Sequence, residues 1–288
     1  MDKTAVHIIS FGLVFLLMTG CQQGIFISQQ KEYPPLPEEE GFVVFLKDDT
    51  TDLTGGEIVG EIILKRGMAA GCAYDLVVDF AKNKAKGMGA NALKIYETRP
   101  PDIWIDPCYK IKTKAYRLNN LSEYEQEISW HPKRKLTIGD FKGSKEDRPF
   151  LAVTSSQIRL RWVQYPTEKY ATCIAEAWFS CQNSYFTEHS DSVETLVHEQ
   201  LHFDITELHA RKLVKRIADE IRDLADLQVK GQKLLDETYS GMGVMQDKYD
   251  SEVYPDPAKQ AIWSQKIRDE LEAMKMYEIK QVKIKIKA

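Results

Sequence analysis

An α+β chain in two parts is predicted by three features of the sequence. Short apolar runs, several with period-two alternation, recur in both halves, as half-buried strands require. One helix-spaced stretch interrupts the runs of the first half, and long helix-spaced stretches fill the second half after residue 191. On the longest of these stands His198-Glu199-Gln200-Leu201-His202, the HExxH spacing of a metal-binding helix. The expected order is therefore a small β-β-α-β-β domain followed by a larger HExxH domain.

The 288 residues suffice for one large domain or two modest ones. Residues 1–20 have the form of an export signal: Lys3 supplies charge, Ile8 to Met18 is an apolar run, and Thr19-Gly20 follow. The run is short for a permanent membrane span. Gly20-Cys21 resembles the end of a bacterial lipobox, with Met18 where leucine is usual, so Cys21 is the expected lipidation site. Residues 21–40, polar and proline-rich, then read as a tether. These features imply an exported protein of the bacterial cell envelope, an outer-membrane lipoprotein whose membrane contact is its N-terminal lipid.

The first domain is expected over 41–118. Gly41 to Leu46 and Glu57 to Leu64 read as strands separated by a Thr/Asp/Gly turn. Leu76, Val77, Phe80, Ala81 and Ala85 then recur at helical spacing within 74–86. Ala92 to Glu97 and Tyr109 to Arg117 return to strand patterning. Lys84-Ala85-Lys86-Gly87-Met88-Gly89-Ala90-Asn91-Ala92-Leu93, with Cys72 before the helix and Cys108 in the later strand, resembles the fold of the Rcs stress-sensor lipoprotein and its relatives. The resemblance covers under a third of the chain and implies a sensing or docking module, with no chemistry.

Residues 119–130, acidic and poor in apolar positions, read as a linker to a second domain over 131–288. Leu136 to Phe141 and Leu151 to Thr154 are short strand candidates. Ile158 to Tyr165 and Ala171 to Cys181 alternate as longer ones. Asp191, with Glu194 three residues on, is placed to cap the long helix. Helix is expected to continue to about Tyr239 and to break at Gly241-Met242-Gly243. A last helix should start at Asp256-Pro257, where proline's missing N–H costs nothing. Lys280, Lys283, Lys285 and Lys287 read as a solvated tail or an edge strand.

Composition argues against some functions. A net charge of −4 with 43% hydrophobic and 28% charged residues leaves no basic surplus for nucleic acid. Apart from Cys21, four cysteines remain, and an even number in an exported protein favours disulfides. Cys72–Cys108 and Cys173–Cys181 form the simplest pairing, with two other connectivities open. No CxxC spacing suggests that they hold zinc.

His198 and His202, four apart, project from one helix face, so two imidazoles can meet one ion at about 2 Å each. Glu199, about 100° further round, is poorly placed to ligate but can reach a water on the metal and act as general base. His209 lies about 10 Å beyond His202 along the axis and cannot join the same ion on an unbroken helix. Two imidazoles and a carboxylate suit Zn2+.

The wider stretch from His198 through Phe203-Asp204-Ile205-Thr206-Glu207-Leu208-His209-Ala210-Arg211-Lys212 to Leu213 resembles the signature of a bacterial family of exported proteins, classed as a domain of unknown function and described as zinc-dependent proteases. Leu136 to Gly143 with Ala152-Val153-Thr154-Ser155, and Tyr249 to Glu252 with Gln260-Ala261-Ile262-Trp263, resemble the same family. Together these pieces span about residues 130–272. The resemblance implies a zincin-like domain, a zinc site and peptidase activity, without a known substrate.

A catalytic zinc takes three protein ligands. The family carries a histidine after its tyrosine and aspartate, where this chain has Glu252-Val253-Tyr254-Pro255-Asp256. Glu252 is the first choice for the third ligand, with Asp250 and Asp256 behind it. Asp204 is either an acceptor that orients a histidine ring or a helix-surface carboxylate, and Tyr249 and Tyr254 read first as packing residues, with donation to an oxyanion the second reading. Glu207 and Arg211 are i,i+4 partners in a structural ion pair. Trp130, Trp162, Trp178 and Trp263 read as core or interface anchors.

The resulting expectation is a membrane-anchored zinc metallohydrolase, a metallopeptidase acting on protein or peptide. The rivals are a non-catalytic envelope lipoprotein with a retained or degenerate metal site, and an amidase of peptidoglycan peptides.

Overall fold

A computed structural model describes residues 24–65, 73–102, 106, 108–164, 168–187 and 192–287. Within them the chain is mixed α+β. The first sheet contains β1 (Ile25–Gln29), β2 (Val43–Phe45), β3 (Glu57–Leu64), β4 (Ala92–Arg99) and β5 (Lys110–Arg117). Its order is β1-β3-β5-β4-β2, antiparallel except for the β2–β4 pair. The helix α1 (Tyr74–Gly87) lays Val77, Ala81 and Ala85, one stripe at i, i+4 and i+8, on Val59, Ile62, Leu93 and Ile111. Gly89 ends it with a φ of +80°, and a Cβ there would collide with Pro34 O.

One expectation for this half needs correction. Residues 25–29, expected within the tether, are β1, paired with β3 along its whole length. The Ile-Phe-Ile run fits a strand, and β3 offers it an otherwise open edge. Gly60, at a bulge in β3, makes the pairing possible, because a Cβ there would strike Ser28 O.

The second half holds α2 (Leu121–Tyr124), β6 (Glu127–Ser129), β7 (Ala152–Val153), β8 (Ser156–Gln164), β9 (Tyr170–Ser180), β10 (Tyr185–Phe186), α3 (Ser192–Glu220), α4 (Leu224–Val253), α5 (Lys259–Ala273) and β11 (Gln281–Lys285). Strand β9 is the spine of the second sheet. Strand β8 runs along one edge of it, and β6 and β11 lie end to end along the other. The lysine-rich C-terminus is thus an edge strand, while β6 falls inside the segment expected as linker. Strands β7 and β10 form a separate ribbon.

Three further expectations fail locally. Leu136 to Phe141 is a 3₁₀ turn over Ile138–Asp140. The Thr137 N–H and hydroxyl both donate to Asp140 Oδ2, and Arg134 grips the same carboxylate, so local polar bonds displace a ladder. The break foreseen at Gly241-Met242-Gly243 does not occur. Met242 is buried against the core between α4 and α3, and this packing offsets the propensity cost of the two glycines. The chain turns instead at 221–223, where Asp223 caps α4 by accepting from the Asp226 N–H at 2.8 Å. The last helix begins at Lys259, just past Pro257, and the Asp191 cap lies outside the described residues.

Period two along β8 and β9 sets up three layers. Leu160, Ala175, Ala177 and Phe179 join the core beneath α3, while Val163 and Ile174 meet Leu76 of α1. Arg161, on that second face, reaches Asp79 of α1 at 2.9 Å. The second sheet is thus covered by α3 on one side and docked to the first domain on the other.

Cysteine pairing also needs correction. Cys108 is disulfide-bonded, and its expected partner Cys72 lies outside the described residues. Cys173 and Cys181 are both free and buried. They lie eight residues apart along one extended stretch, about 26 Å at strand rise, far beyond disulfide reach. Burial pushes their thiols up to about 12 and about 11 respectively. In the native protein both should resist alkylation at pH 8 and react on unfolding, which mass spectrometry of the labelled peptides would check. Among the described residues, no helix is long and apolar enough to cross a membrane.

Candidate metal centre

Helices α3 and α4 form an antiparallel hairpin, so the first turns of α3 face the last turns of α4. This register brings His198 and His202 opposite Asp250. His198 Nε2 and His202 Nε2 lie 3.1 Å apart, and Asp250 Oδ1 is 3.1 Å from the first and 3.0 Å from the second. A tetrahedral ion with bonds of 2.0–2.1 Å separates its ligand atoms by about 3.3–3.4 Å. The triangle is therefore close to the size required to hold one. Asp250 Oδ1 is a buried oxygen whose near neighbours are the two imidazole nitrogens, so the three ligand atoms gather round one small space. Among the described residues, this is the cluster able to hold a metal ion.

The pair of imidazoles is expected from the sequence; the carboxylate differs from the first choice. Glu252 turns to α5, where Trp263 Nε1 donates to its Oε2 at 3.0 Å. Asp256 lies in the exposed turn beyond α4. Asp250 takes the position because α4 stays helical to Val253. Tyr249 is then fully buried, Asp250 faces the two imidazoles, and Glu252 is carried round towards α5. His209 lies outside the cluster, with Nδ1 3.0 Å from Ile205 O.

Aromatic rings fix the imidazoles. Tyr249 stacks on His198 at 4.6 Å and meets His202 edge-on at 5.1 Å. Its hydroxyl donates to Gln260 Oε1 at 2.6 Å, away from the three converging atoms. Tyr249 is therefore a wall for the ligands and not the oxyanion donor considered for it. Tyr254, 5.2 Å from the His198 ring, remains largely exposed at the mouth of the site. Partial desolvation of its hydroxyl end, with the negative charge of Asp250 and Glu199 nearby, pushes that hydroxyl up to about 12. For Asp250, burial alone would raise the carboxyl, but His198 and His202 hold it well below the usual carboxylate range.

Glu199 is 3% exposed, and its Oε2 has no hydrogen-bond partner. Its main-chain carbonyl accepts from Thr154 Oγ1 at 3.1 Å, which ties the ribbon strand β7 to this turn of α3. Together with His198 it lines a cleft of about 730 Å³ between α3, α5 and the loop before β7.

The other motif residues brace the helix. Asp204, considered as an orienter of a histidine ring, instead accepts from Trp130 Nε1 at 2.7 Å and from Gln200 Nε2 at 2.9 Å. Gln200 Oε1 in turn accepts the Leu136 N–H at 2.8 Å, so this pair pins the 130–136 segment to α3. Glu207 and Arg211 form the expected ion pair, fully buried, at 2.9 Å. Arg211 also donates to Leu271 O and lies over the Trp130 ring, and Lys280 adds a second cation 3.2 Å from Glu207. Arg211→Ala should cost about 3–5 kcal/mol in urea unfolding with metal removed, because a buried carboxylate loses its main partner. Of the tryptophans, Trp130 and Trp263 are buried anchors, whereas Trp162 is exposed.

Sequence reasoning missed the ranking of Asp250, whereas the packing reading of Tyr249 holds. The available signal was the i, i+4, i+7 series Met242, Met245 or Gln246, and Tyr249, read as one unbroken helix. Comparison of the chain with family models, with curated proteins and with solved structures finds no match in any of the three.

Proposed function

We propose that the protein is a zincin-like metallopeptidase, and that His198, His202 and Asp250 hold its zinc. The observation that carries this reading is the meeting of three ligand atoms, on His198, His202 and Asp250, near a buried carboxylate oxygen without a partner, Glu199 Oε2, that lines an open cleft. Leaving such an atom unpaired is costly unless the site has a use for it. Zinc suits two imidazoles and one carboxylate, and when bound it would polarise a substrate carbonyl and make a water nucleophilic near neutral pH.

The chain's own residues supply the rest. Glu199 is the general base, its free oxygen accepting the proton of the attacking water and later delivering it to the leaving amine. Tyr249 and Gln260 keep the ligand rings in place. Tyr254, still protonated at neutral pH, is the side chain at the mouth able to donate to a carbonyl oxygen that gains charge. Likeness of the His198–Leu213 stretch to a family described as zinc-dependent proteases supports the same reading.

Location belongs to the proposal as well. Lipidation at Cys21 would leave only three residues before β1 at Ile25, a reach of about 13–14 Å from the lipidated residue. The first domain would then lie against the membrane and hold the metal centre away from it.

The test is digestion of casein and of purified cell wall by the protein with zinc, with a chelator, and as His202→Ala. Zinc-dependent cleavage of casein that His202→Ala abolishes is expected. Release of peptidoglycan peptides with casein intact would assign the amidase reading, and cleavage of neither would leave a non-catalytic lipoprotein.

A further inference from the structure

We propose that the cleft beside His198 binds a bulky apolar side chain, aromatic or branched aliphatic, next to the bond to be cut and not at a free C-terminus. What is cut rests on the peptidase reading above; what is bound does not. The cleft, at about 730 Å³, lies within the range of small-ligand sites and can enclose a large side chain with its neighbours. Its walls are Phe150 and Leu151 from the loop before β7, Val193 and Val197 from the first turns of α3, and Ala258 and Ala261 from the start of α5.

Four of these apolar side chains are left to water at considerable cost: Phe150 is 56% exposed, Leu151 51%, Val193 70% and Val197 45%. Exposed apolar groups gathered around a candidate catalytic carboxylate indicate an apolar occupant. Charge narrows the occupant further. Among the described residues the cleft contains Glu194 and Glu199 and no lysine or arginine. A terminal carboxylate would find no cationic partner of the kind that recognises it, and an acidic side chain would face two carboxylates. The alanines on α5 keep the space open, since larger side chains there would fill it. Full burial of a leucine or phenylalanine side chain corresponds to a preference of about ten- to 150-fold over glycine.

The experiment measures binding of acetylated, amidated hexapeptides with Phe, Leu, Gly, Lys or Glu at one central position. It uses the full chain freed of metal by chelator, so that nothing is cleaved, and cleavage of the same peptides is then followed with zinc. Binding of the Phe and Leu peptides at least tenfold tighter than that of the Gly peptide is expected, with Glu no better than Gly and Lys weaker than Phe and Leu. Ala261→Trp, at an exposed position, should fill the cleft and erase that preference while zinc content stays at the wild-type level. Ala258→Arg, also exposed, should shift preference towards the Glu peptide. Equal binding of Phe and Gly peptides, or an apolar preference untouched by both variants, would overturn the inference. Apolar binding without zinc-dependent cleavage would keep the cleft and refute the peptidase, while cleavage without apolar preference would do the reverse.

Discussion

Glu199→Gln is expected to keep its zinc and to lower peptide hydrolysis by about a hundred- to ten-thousandfold, the usual worth of a positioned general base. The substitution preserves shape and removes only the ability to take a proton. Because Glu199 is almost wholly buried with one oxygen unpartnered, neutralising it should leave the metal-free protein at least as resistant to heat as the parent. Equal zinc content, equal or higher Tm and a collapsed kcat would together assign the residue to the reaction and not to the fold. Hydrolysis within threefold of wild type would remove Glu199 from the mechanism.

Asp250→Ala and Glu252→Ala should separate sharply, although the two carboxylates are two residues apart on one helix. Loss of Asp250 takes away one of three converging ligand atoms, and zinc affinity should fall on the order of a thousandfold. Loss of Glu252 takes away the acceptor of the Trp263 indole N–H. It should cost about 1–3 kcal/mol of stability through an unsatisfied buried donor and leave zinc affinity nearly unchanged. Competition with a fluorescent zinc chelator gives the affinities, and urea unfolding of the metal-free proteins gives the stabilities. The opposite pattern, with zinc lost in Glu252→Ala and kept in Asp250→Ala, would restore the ligand first expected from the sequence.

The reversal from Glu252 to Asp250 shows where the sequence was legible and where it was not. His198 and His202 could be paired from spacing alone, because four residues on one helix always share a face. The third ligand comes from another helix, and its identity depends on helical phase carried from Asp223 to Val253. Reading Gly241-Met242-Gly243 as a break cancelled that phase, so Asp250 and Glu252 could be ranked only by chemistry. The packing of α4 on α3, which buries Met242 and keeps the helix whole, is a tertiary fact with no local signature. The true start of α4 did have one, since Asp223 stands three residues before the N–H that it caps.

Strands divide in the same way. An apolar run foretold β3 to its observed ends, and alternation foretold β8 and β9 nearly so, since each has one face against a helix. β1 and β6 were hidden, being short strands that rest on an edge supplied by β3 and β9 rather than on a pattern of their own. Leu136 to Phe141 misled in the other direction, because apolar residues flank an Asp140 whose bonds to Thr137 and Arg134 fold the segment into a turn. Cys173 and Cys181 were paired by parity of count, which says nothing of direction along a strand.

The most direct test of the metal centre is zinc K-edge absorption spectroscopy of the zinc-loaded protein, together with its metal content. One zinc per chain is expected, with two imidazoles and a carboxylate oxygen at about 2.0–2.2 Å, and with the imidazole signal absent from a His198→Ala, His202→Ala double variant. A wild-type protein that retains no zinc after dialysis against it, or a double variant that binds zinc in the same surroundings, would contradict the site.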